Sequence, residues 1–291
     1  MGHGLNASPL FHLPEDFSMT ATLLLSISLA LARADEAESL QFIRESLMKR
    51  DYQAALEKSK KALAEFPKSA RLWHLQGLAH DRLRKFPEAL NDFNKALQLD
   101  PALDDALDQR GSVYFKMGRM KESGEDFDKF IKLKPSEFPA HWRRGIVLYY
   151  LGRFKEGHQQ FEAYQKVDGN DVENGVWHYL CLARDENRDK ARAAMLPIQM
   201  DRRIPMMEVY ALFQGKSSVE KVMELAEKAP EAQKKMALFY AHLYLGIYHE
   251  SQDKPEKALA HMEKAAELGP LDHYMGDVAR VHRDRLRKKS P

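Results

Sequence analysis

The sequence predicts an all-α solenoid, in which antiparallel helix pairs stack as a right-handed superhelix that ends in a capping helix. The first observation is a period of 34 residues that begins at Ala70 and has been repeated once by Pro135. The second is that small, aromatic and proline residues return at the same offsets in both copies. The third is the composition, 44% hydrophobic and 30% charged in 291 residues, which is typical of ordered helical domains. A fixed period of this length indicates units that stack in a row.

The two copies match at offsets spaced for helices. Residues three or four positions apart share one face of a helix, so each copy is predicted to form helix A and then helix B. A proline cannot continue a helix, so helix B is expected to stop before it. Offsets are counted with Ala70 as 1 in the first copy and Asp104 as 1 in the second. Offsets 4, 8, 20, 24, 27 and 32 hold Trp73, Gly77, Ala89, Phe93, Ala96 and Pro101 in the first copy, and Leu107, Gly111, Ser123, Phe127, Phe130 and Pro135 in the second.

This pattern is that of the tetratricopeptide repeat (TPR). Gly77 and Gly111 are predicted to lie where helix A comes closest to helix B, because a side chain there would push the helices apart. Such packing explains glycine inside a helix, where it costs about 1 kcal/mol relative to alanine. Phe93 and Phe127 are predicted to fill the space between the two helices.

Weaker copies of the pattern extend the predicted TPR domain over residues 35–287. The first unit is degenerate, as expected where nothing packs on the outer side. Pro197 and Pro205 interrupt the pattern, and a helix pair without the TPR phase follows. The predicted parts are repeats at about 36–69, 70–103, 104–137 and 138–171, a degenerate unit at 172–200, an irregular helix pair at 204–228, a repeat at 239–272 and a capping helix at 273–287.

The amino-terminal part of the chain is predicted to be outside the repeats. Residues 1–18 carry glycine and proline without periodicity and are predicted to be disordered. Residues 19–34 contain an apolar run that ends in a small-x-small cleavage pattern at 32–34, which indicates a signal peptide. No basic residue precedes the run within the segment, and the pattern fits better if translation starts at Met19 than at Met1. The alternative is an apolar lead-in to the first repeat.

Composition and motifs argue against several functions. A net charge of +2 implies no bulk attraction to nucleic acid or membrane, and the apolar run is too short for an integral membrane span, which needs about 20 residues. The single cysteine, Cys181, excludes an intrachain disulfide and is expected to be a small buried hydrophobe. The 12 histidines show no paired ligand spacing and are expected at the surface or in a groove. We therefore predict no catalytic residue, no metal site and no cofactor.

The concave surface of the stack is the predicted binding site. In TPR stacks, offsets 2, 5, 6, 9, 12 and 13 of helix A line the groove, and exposed aromatics beside arginine are common anchors of interfaces. Some of these side chains are expected to pack against the next repeat. Asp104, Asp105 and Asp108 are expected on a solvated face. The predicted partner-binding residues are Arg71, His74, Leu78, Arg82, Asp108, Gln109, Ser112, Phe115, Trp142, Arg143, Ile146 and Tyr149.

Several longer segments resemble the NlpI-type bacterial TPR lipoproteins. They are residues 142–150, 177–180, 208–215 and 239–246, and the order of parts is similar over 36–287. The resemblance implies a homodimeric adaptor of the cell envelope that docks peptidoglycan hydrolases and an envelope protease. No cysteine follows the cleavage pattern, so the lipid-attachment signature of that family is absent here.

These observations predict a non-catalytic TPR scaffold that binds a protein or peptide segment in its groove. The scaffold is expected to be extracytoplasmic in a bacterium and to form a homodimer. One alternative is a regulatory TPR subunit of an enzyme that acts in trans, such as a glycosyltransferase. Another is a cytosolic TPR adaptor translated from Met1.

Overall fold

The computed structural model of the protein describes residues 34–289. Within that range the chain forms fifteen α-helices and one short 3₁₀ helix, Pro135–Glu137, with no β-strand. The helices are α1 (34–48), α2 (Tyr52–Glu65), α3 (Ala70–Arg82), α4 (Phe86–Leu99), α5 (Asp104–Lys116), α6 (Met120–Leu133), α7 (Trp142–Tyr150), α8 (Phe154–Tyr164), α9 (Val172–Asp185), α10 (Arg188–Ala193), α11 (Met206–Phe213), α12 (Val219–Glu227), α13 (Glu231–Ser251), α14 (Pro255–Leu268) and α15 (Tyr274–Lys289).

The predicted disordered segment 1–18 and the predicted signal peptide 19–34 lie outside the described residues, apart from Ala34, the first described residue of α1. Among residues 34–289, no helix combines the length and the apolar character that crossing a membrane requires.

Consecutive helices pack against one another as pairs, which confirms the predicted all-α solenoid. The first helices of successive pairs also touch, α3 with α5 and α7 with α9. The prolines end helices as predicted, since α4 stops before Pro101 and α6 before Pro135. Helix α15 packs along α14, and it also reaches back to α5. That second contact brings the end of the chain to the middle of the stack.

The predicted close approach of helix A to helix B occurs at the glycines. A Cβ atom placed on Gly111 would lie 2.7 Å from Cε1 of Phe127, too close for an ordinary side-chain contact. Phe127 is fully buried, and Ser123 Oγ donates to the Gly111 carbonyl at 2.7 Å. The same contact recurs at Gly77 with Phe93 (2.7 Å) and at Gly145 with Phe161 (2.6 Å).

Helices α8 and α9 come equally close without an aromatic ring. A Cβ atom on Gly157 would lie 2.7 Å from Sγ of Cys181. Cys181 is completely buried, and burial raises the pKa of its thiol. The prediction that this cysteine is a small buried hydrophobe is confirmed.

The corners between helix A and helix B share one backbone conformation. Arg50, Arg84, Gly118 and Gly152 have φ angles of 61°, 58°, 74° and 75°, and they stand one repeat apart. Glycine adopts this left-handed region without steric cost, whereas other residues pay for it. Two of the four corners nevertheless carry arginine.

Both corner arginines bind the connection between α14 and α15. Arg50 Nη1 pairs with Asp272 at 3.0 Å. Arg84 Nη1 donates to the carbonyl oxygen of Leu271 at 3.0 Å and to the carboxylate of Asp277 at 2.9 Å. Among these four corners, the two that lack glycine are therefore those whose side chains attach the start of α15 and the residues before it to the first two helix pairs.

The predicted interruption of the pattern is present between α10 and α11. It is followed by the short pair α11 and α12, with Ser218 accepting a hydrogen bond from Lys221 N as the cap of α12. The last repeat differs from the prediction at its start. Its first helix begins at Glu231 rather than near Phe239, because the residues after Pro230 are good helix formers that continue the helix.

Candidate peptide-binding groove

The groove lies along α3, α5, α7 and α9, and the start of α15 crosses it. Tyr274, the first residue of α15, stacks on Phe115 with 5.1 Å between the ring centroids. It meets Trp142 edge to face at 5.2 Å, and the guanidinium of Arg143 lies 6.0 Å from the centre of its ring. The ring of Tyr274 thus packs between α5 and α7, and it lines two adjacent cavities.

The first cavity, here called the aromatic cavity, has a volume of about 340 Å³. It is formed by α7, α8 and α9 with the 272–275 segment. Largely apolar walls with a few convergent polar groups are typical of binding pockets. The apolar and aromatic walls are Trp142, Ile146, Phe161, Tyr164, Trp177 and Tyr274.

Four residues that line the aromatic cavity carry buried polar atoms with no hydrogen-bond partner among residues 34–289. These atoms are Asn174 Oδ1, Trp177 Nε1, His273 Nδ1 and Tyr274 Oη. Asn174 Nδ2 already donates to the Phe161 carbonyl at 3.1 Å, so Oδ1 remains as an acceptor, whereas an indole nitrogen only donates. The walls of the cavity thus contain unpaired polar atoms of both kinds, an acceptor at Asn174 and a donor at Trp177, and these atoms are buried beneath its surface.

Three carboxylates also line the aromatic cavity. Asp272 pairs with Arg50, and Asp171 and Glu173 pair with Arg203. Arg203 Nη2 lies 2.6 Å from Asp171, and Nη1 pairs with Glu173. Tyr244 Oη donates to Glu173 Oε2 at 2.5 Å. Burial, assisted by the charge of Asp171, raises the pKa of Glu173 to about 7 in spite of these partners. Arg203 also pairs with Asp201, so its single positive charge is shared among three carboxylates and neutralises the acidic wall only in part.

The second cavity, here called the polar cavity, has a volume of about 350 Å³. Apart from Arg82, its charged side chains are paired, for example Lys116 Nζ with Asp81 at 2.7 Å and Arg84 with Asp277 at 2.9 Å. The two cavities share Trp142, Asp272, His273 and Tyr274, so they lie side by side at the start of α15.

The structure brings some of the predicted partner-binding residues to these cavities and buries others. The polar cavity is lined by Arg82, Gln109, Ser112, Trp142 and Arg143. Trp142 and Ile146 line the aromatic cavity. Arg71 and Arg82 are exposed, Leu78, Gln109, Trp142 and Arg143 are half-buried, and His74, Asp108, Ser112, Phe115, Ile146 and Tyr149 are buried.

Asp108 is not on a solvated face, so that part of the sequence prediction is wrong. Its Oδ1 lies 2.9 Å from His141 Nε2 and its Oδ2 2.6 Å from Arg143 Nη2. Burial alone would raise the pKa of Asp108, but His141 and Arg143 outweigh it and leave the pKa below its usual value. Arg143 also donates to Ser112 Oγ at 2.9 Å. These bonds fix the arginine between α5 and α7.

Two of the predicted groove aromatics are packed inside the molecule. Phe115 is fully buried beneath Tyr274. Tyr149 is buried against Trp177, with 5.5 Å between the ring centroids, and burial raises its pKa to about 12. These two side chains stabilise the walls of the groove.

The histidines are more buried than the sequence suggests. His80 Nδ1 lies 2.6 Å from Asp92 Oδ2, so this pair links α3 to α4 inside a repeat. The expectation of surface or groove positions is wrong for such residues, because a histidine at a helix–helix contact can find its partner there. The buried histidines of the described chain are His74, His80, His141, His178, His249 and His282.

The cavity residues that sequence reasoning missed come from two sources. Glu173 and Trp177 occupy offsets 2 and 6 of the unit that starts at 172, so extending the groove offsets by one unit would have found them. Asn174 follows Glu173 in the sequence but does not occupy a groove offset, so the pattern does not indicate it. His273 and Tyr274 arrive from the far end of the chain, and no local pattern predicts where they dock.

Buried His74 should make the protein sensitive to acid. Burial lowers the pKa of His74 from 6.5 to about 4, and Asp105 opposes the shift only in part. Between these two values the unfolded chain binds a proton that the folded chain does not, so stability is lost as pH falls from about 6.5 to about 4. At about 1.4 kcal/mol per pKa unit, the free energy of unfolding should fall by about 3 kcal/mol from this residue.

Urea unfolding at pH 7.5 and pH 4.5 checks this expectation. His74→Leu, which cannot be protonated, should lose clearly less stability on acidification than the unchanged protein. The exposed-site variant Arg71→Leu should lose as much as the unchanged protein. Equal losses in the two leucine variants would contradict the assignment of the acid sensitivity to His74.

Comparison with known families identifies the repeats. Residues 70–103 and 104–137 each match a family model described as tetratricopeptide repeat. The chain carries tetratricopeptide repeats. Both matches begin and end where the 34-residue period predicts. TPR repeats are protein–protein interaction modules and typically non-catalytic scaffolds, and neither match is to a catalytic family.

Solved structures show the same fold. A tetratricopeptide repeat protein from Parabacteroides merdae is 20% identical, covering 87% of this chain and 98% of its own, with a TM-score of 0.57. The carboxy-terminal part of a TPR repeat-containing protein from Cytophaga hutchinsonii is 15% identical, covering 82% and 98%, with a TM-score of 0.52. Likeness at these identities shows the fold alone. No curated protein matches the chain, and the NlpI-type resemblance stays a prediction.

Proposed function

We propose that this protein is a TPR scaffold that binds an extended segment of another polypeptide in its groove. The observation that carries the proposal is the aromatic cavity, whose walls combine two tryptophans and two tyrosines with Ile146 and Phe161. Aromatic side chains of this kind carry much of the binding energy of polypeptide interfaces.

The polar cavity supplies the continuation of such a site. It carries both signs of charge, with Arg82 and Gln109 at its accessible parts. A bound segment would place an apolar or amide-bearing side chain against Trp142 and Trp177 and continue past Tyr274 toward α3 and α5. Aromatic anchors with a polar surround are the usual arrangement of peptide interfaces.

Site-specific crosslinking in native cells tests the proposal. A photoreactive phenylalanine analogue at Arg82, in the polar cavity, should crosslink a polypeptide that mass spectrometry identifies. The analogue at Lys61, an exposed residue of α2 outside both cavities, is the control for nonspecific capture. Trp142→Ala should reduce recovery from Arg82 at least tenfold, in line with a hot-spot loss of about 2 kcal/mol.

The matched control variant is Phe42→Ala, which removes a 47% exposed aromatic ring outside both cavities. It should leave recovery unchanged. Equal recovery from the Arg82 and Lys61 positions, or full recovery in the Trp142→Ala background, would reject the groove as the binding site. Circular dichroism of each variant shows whether the fold is retained.

We also propose an extracytoplasmic location in a bacterium and recruitment of envelope hydrolases or proteases. The support is the cleavage pattern at 32–34 and the order of parts shared with the NlpI-type proteins. Amino-terminal sequencing of the native protein tests the location. A mature end at Asp35 agrees with export, and an intact Met1 contradicts it.

A homodimer is proposed on the same resemblance. Size-exclusion chromatography with light scattering of the purified chain should give twice the mass of 33.5 kDa. A single species at the monomer mass across the concentration range would remove this part of the proposal.

A further inference from the structure

A cluster of two histidines and one glutamate lies between α8 and α9, away from both groove cavities. His158 and Glu162 are one turn apart on α8, so their side chains share a face. His178 projects from α9. The two helices can bring these residues together because they approach closely at Gly157 and Cys181.

The distances within the cluster are long for hydrogen bonds and match the spacing of ligands around a metal ion. Glu162 Oε1 lies 3.4 Å from His158 Nδ1 and 3.3 Å from His178 Nε2. Hydrogen bonds between nitrogen and oxygen are usually about 2.9–3.0 Å long. Zinc binds imidazole and carboxylate at about 2.0–2.2 Å, so neighbouring ligands in a tetrahedral site are about 3.3–3.5 Å apart. All three donor atoms lie within 4.8 Å of one another.

The surroundings also resemble those of metal-binding histidines. Asp185 Oδ2 lies 3.5 Å from His158 Nε2, the ring nitrogen that does not face Glu162. A negative charge this close to the cluster favours a bound cation. His178 has only 2% of its side chain exposed, whereas Glu162 is 51% exposed. One candidate ligand, His178, is therefore buried, and another, Glu162, is open to solvent.

We propose that His158, Glu162 and His178 form a zinc site that links α8 to α9. Two imidazoles and one carboxylate are a donor set that zinc prefers, and three protein ligands leave a fourth position for water or another ligand. The site ties the fourth helix pair to the fifth. It was not apparent from sequence spacing because His158 and His178 meet only across two helices.

Equilibrium dialysis of the full chain against Zn²⁺, followed by metal analysis, tests the proposal. The unchanged protein should hold one equivalent of zinc, and zinc should raise its Tm. His158→Ala and Glu162→Gln should each weaken binding at least tenfold and abolish the rise in Tm. These residues are used because they are less buried than His178, and the Tm without metal shows whether each variant is folded.

The control variant is His261→Ala, which alters a second histidine cluster. His261 Nδ1 lies 2.9 Å from His242 Nδ1, and this variant should bind zinc as the unchanged protein does. Binding of Co²⁺ should add visible absorption of tetrahedral type that His158→Ala lacks. Less than a tenth of an equivalent of zinc in the unchanged protein, equal binding by His158→Ala, or loss of binding only in His261→Ala would overturn the proposal.

Discussion

Replacing Arg203 with methionine should lower the free energy of unfolding by about 2–4 kcal/mol, because three largely buried carboxylates lose the cation that they share. The arginine itself is 35% exposed, so solvent screens part of the effect. Arg203 pairs with Asp171, Glu173 and Asp201, whose side chains are 20%, 11% and 5% exposed. Burial disfavours the arginine charge, but the hydrogen bond to Asp201 and the nearby carboxylates outweigh it and raise the pKa of Arg203. The arginine in turn stabilises the ionised forms of the three carboxylates.

The Arg203 cluster connects the irregular segment of the chain to α9 and α13. Arg203 belongs to the segment that interrupts the repeats, Asp171 and Glu173 start α9, and the guanidinium lies 5.4 Å from the centre of the Tyr240 ring on α13. One side chain thus holds the irregular segment against the repeats on both sides. Since Asp171 and Glu173 line the aromatic cavity, the same variant should also disturb that cavity.

Urea unfolding at pH 8 and pH 5 measures the effect. Arg202→Met, the exposed neighbour, should change stability by less than about 0.5 kcal/mol. The deficit of Arg203→Met should be smaller at pH 5, because carboxylates without a cation take up protons in the folded state and lose stability as pH rises through their raised pKa values. Equal behaviour of the two variants would show that the cluster does not stabilise the fold.

The sequence predicted the repeat architecture because its physical cause is local. A glycine on helix A, a ring or small residue on helix B and a proline after it recur within one unit, so a period can be read without knowing the fold. Gly111 and Phe127 met as expected for that reason. The start of α13 was misplaced because the residues before Phe239 form a helix through propensity and carry no repeat phase.

The groove was less predictable because part of it comes from a distant segment. Offsets on helix A pointed to Trp142, Arg143 and Ile146, which line the two cavities. They could not reveal that Tyr274 would cover Phe115, since more than a hundred residues separate the two positions. The histidine cluster was missed for the same reason, because ligand spacing in sequence does not record a contact between helices.

The largest packing effect should follow from removing the ring that faces Gly111. Phe127→Ala should cost about 3–5 kcal/mol through lost burial and the cavity left behind. Gly111→Leu alone should cost about 1–3 kcal/mol, because the new side chain would overpack the helix pair. If Gly111 and Phe127 contact each other, the leucine of the double variant occupies the space that the phenylalanine ring has vacated. The double variant should then lose less stability than the sum of the losses of the two single variants.

Urea unfolding of the four proteins in this cycle measures the coupling, which should be about 1–2 kcal/mol, within the range found for residues in contact. Met262→Ala, which removes the side chain facing Gly246 in the last repeat, is the control partner, and its cost should add to that of Gly111→Leu within about 0.5 kcal/mol. Because repeat proteins derive stability from each unit and its neighbours, the coupling should be confined to the unit that holds both residues. Additive costs for Gly111 and Phe127 would mean that the glycine is not retained for this contact, and the packing account of the repeat phase would then be wrong.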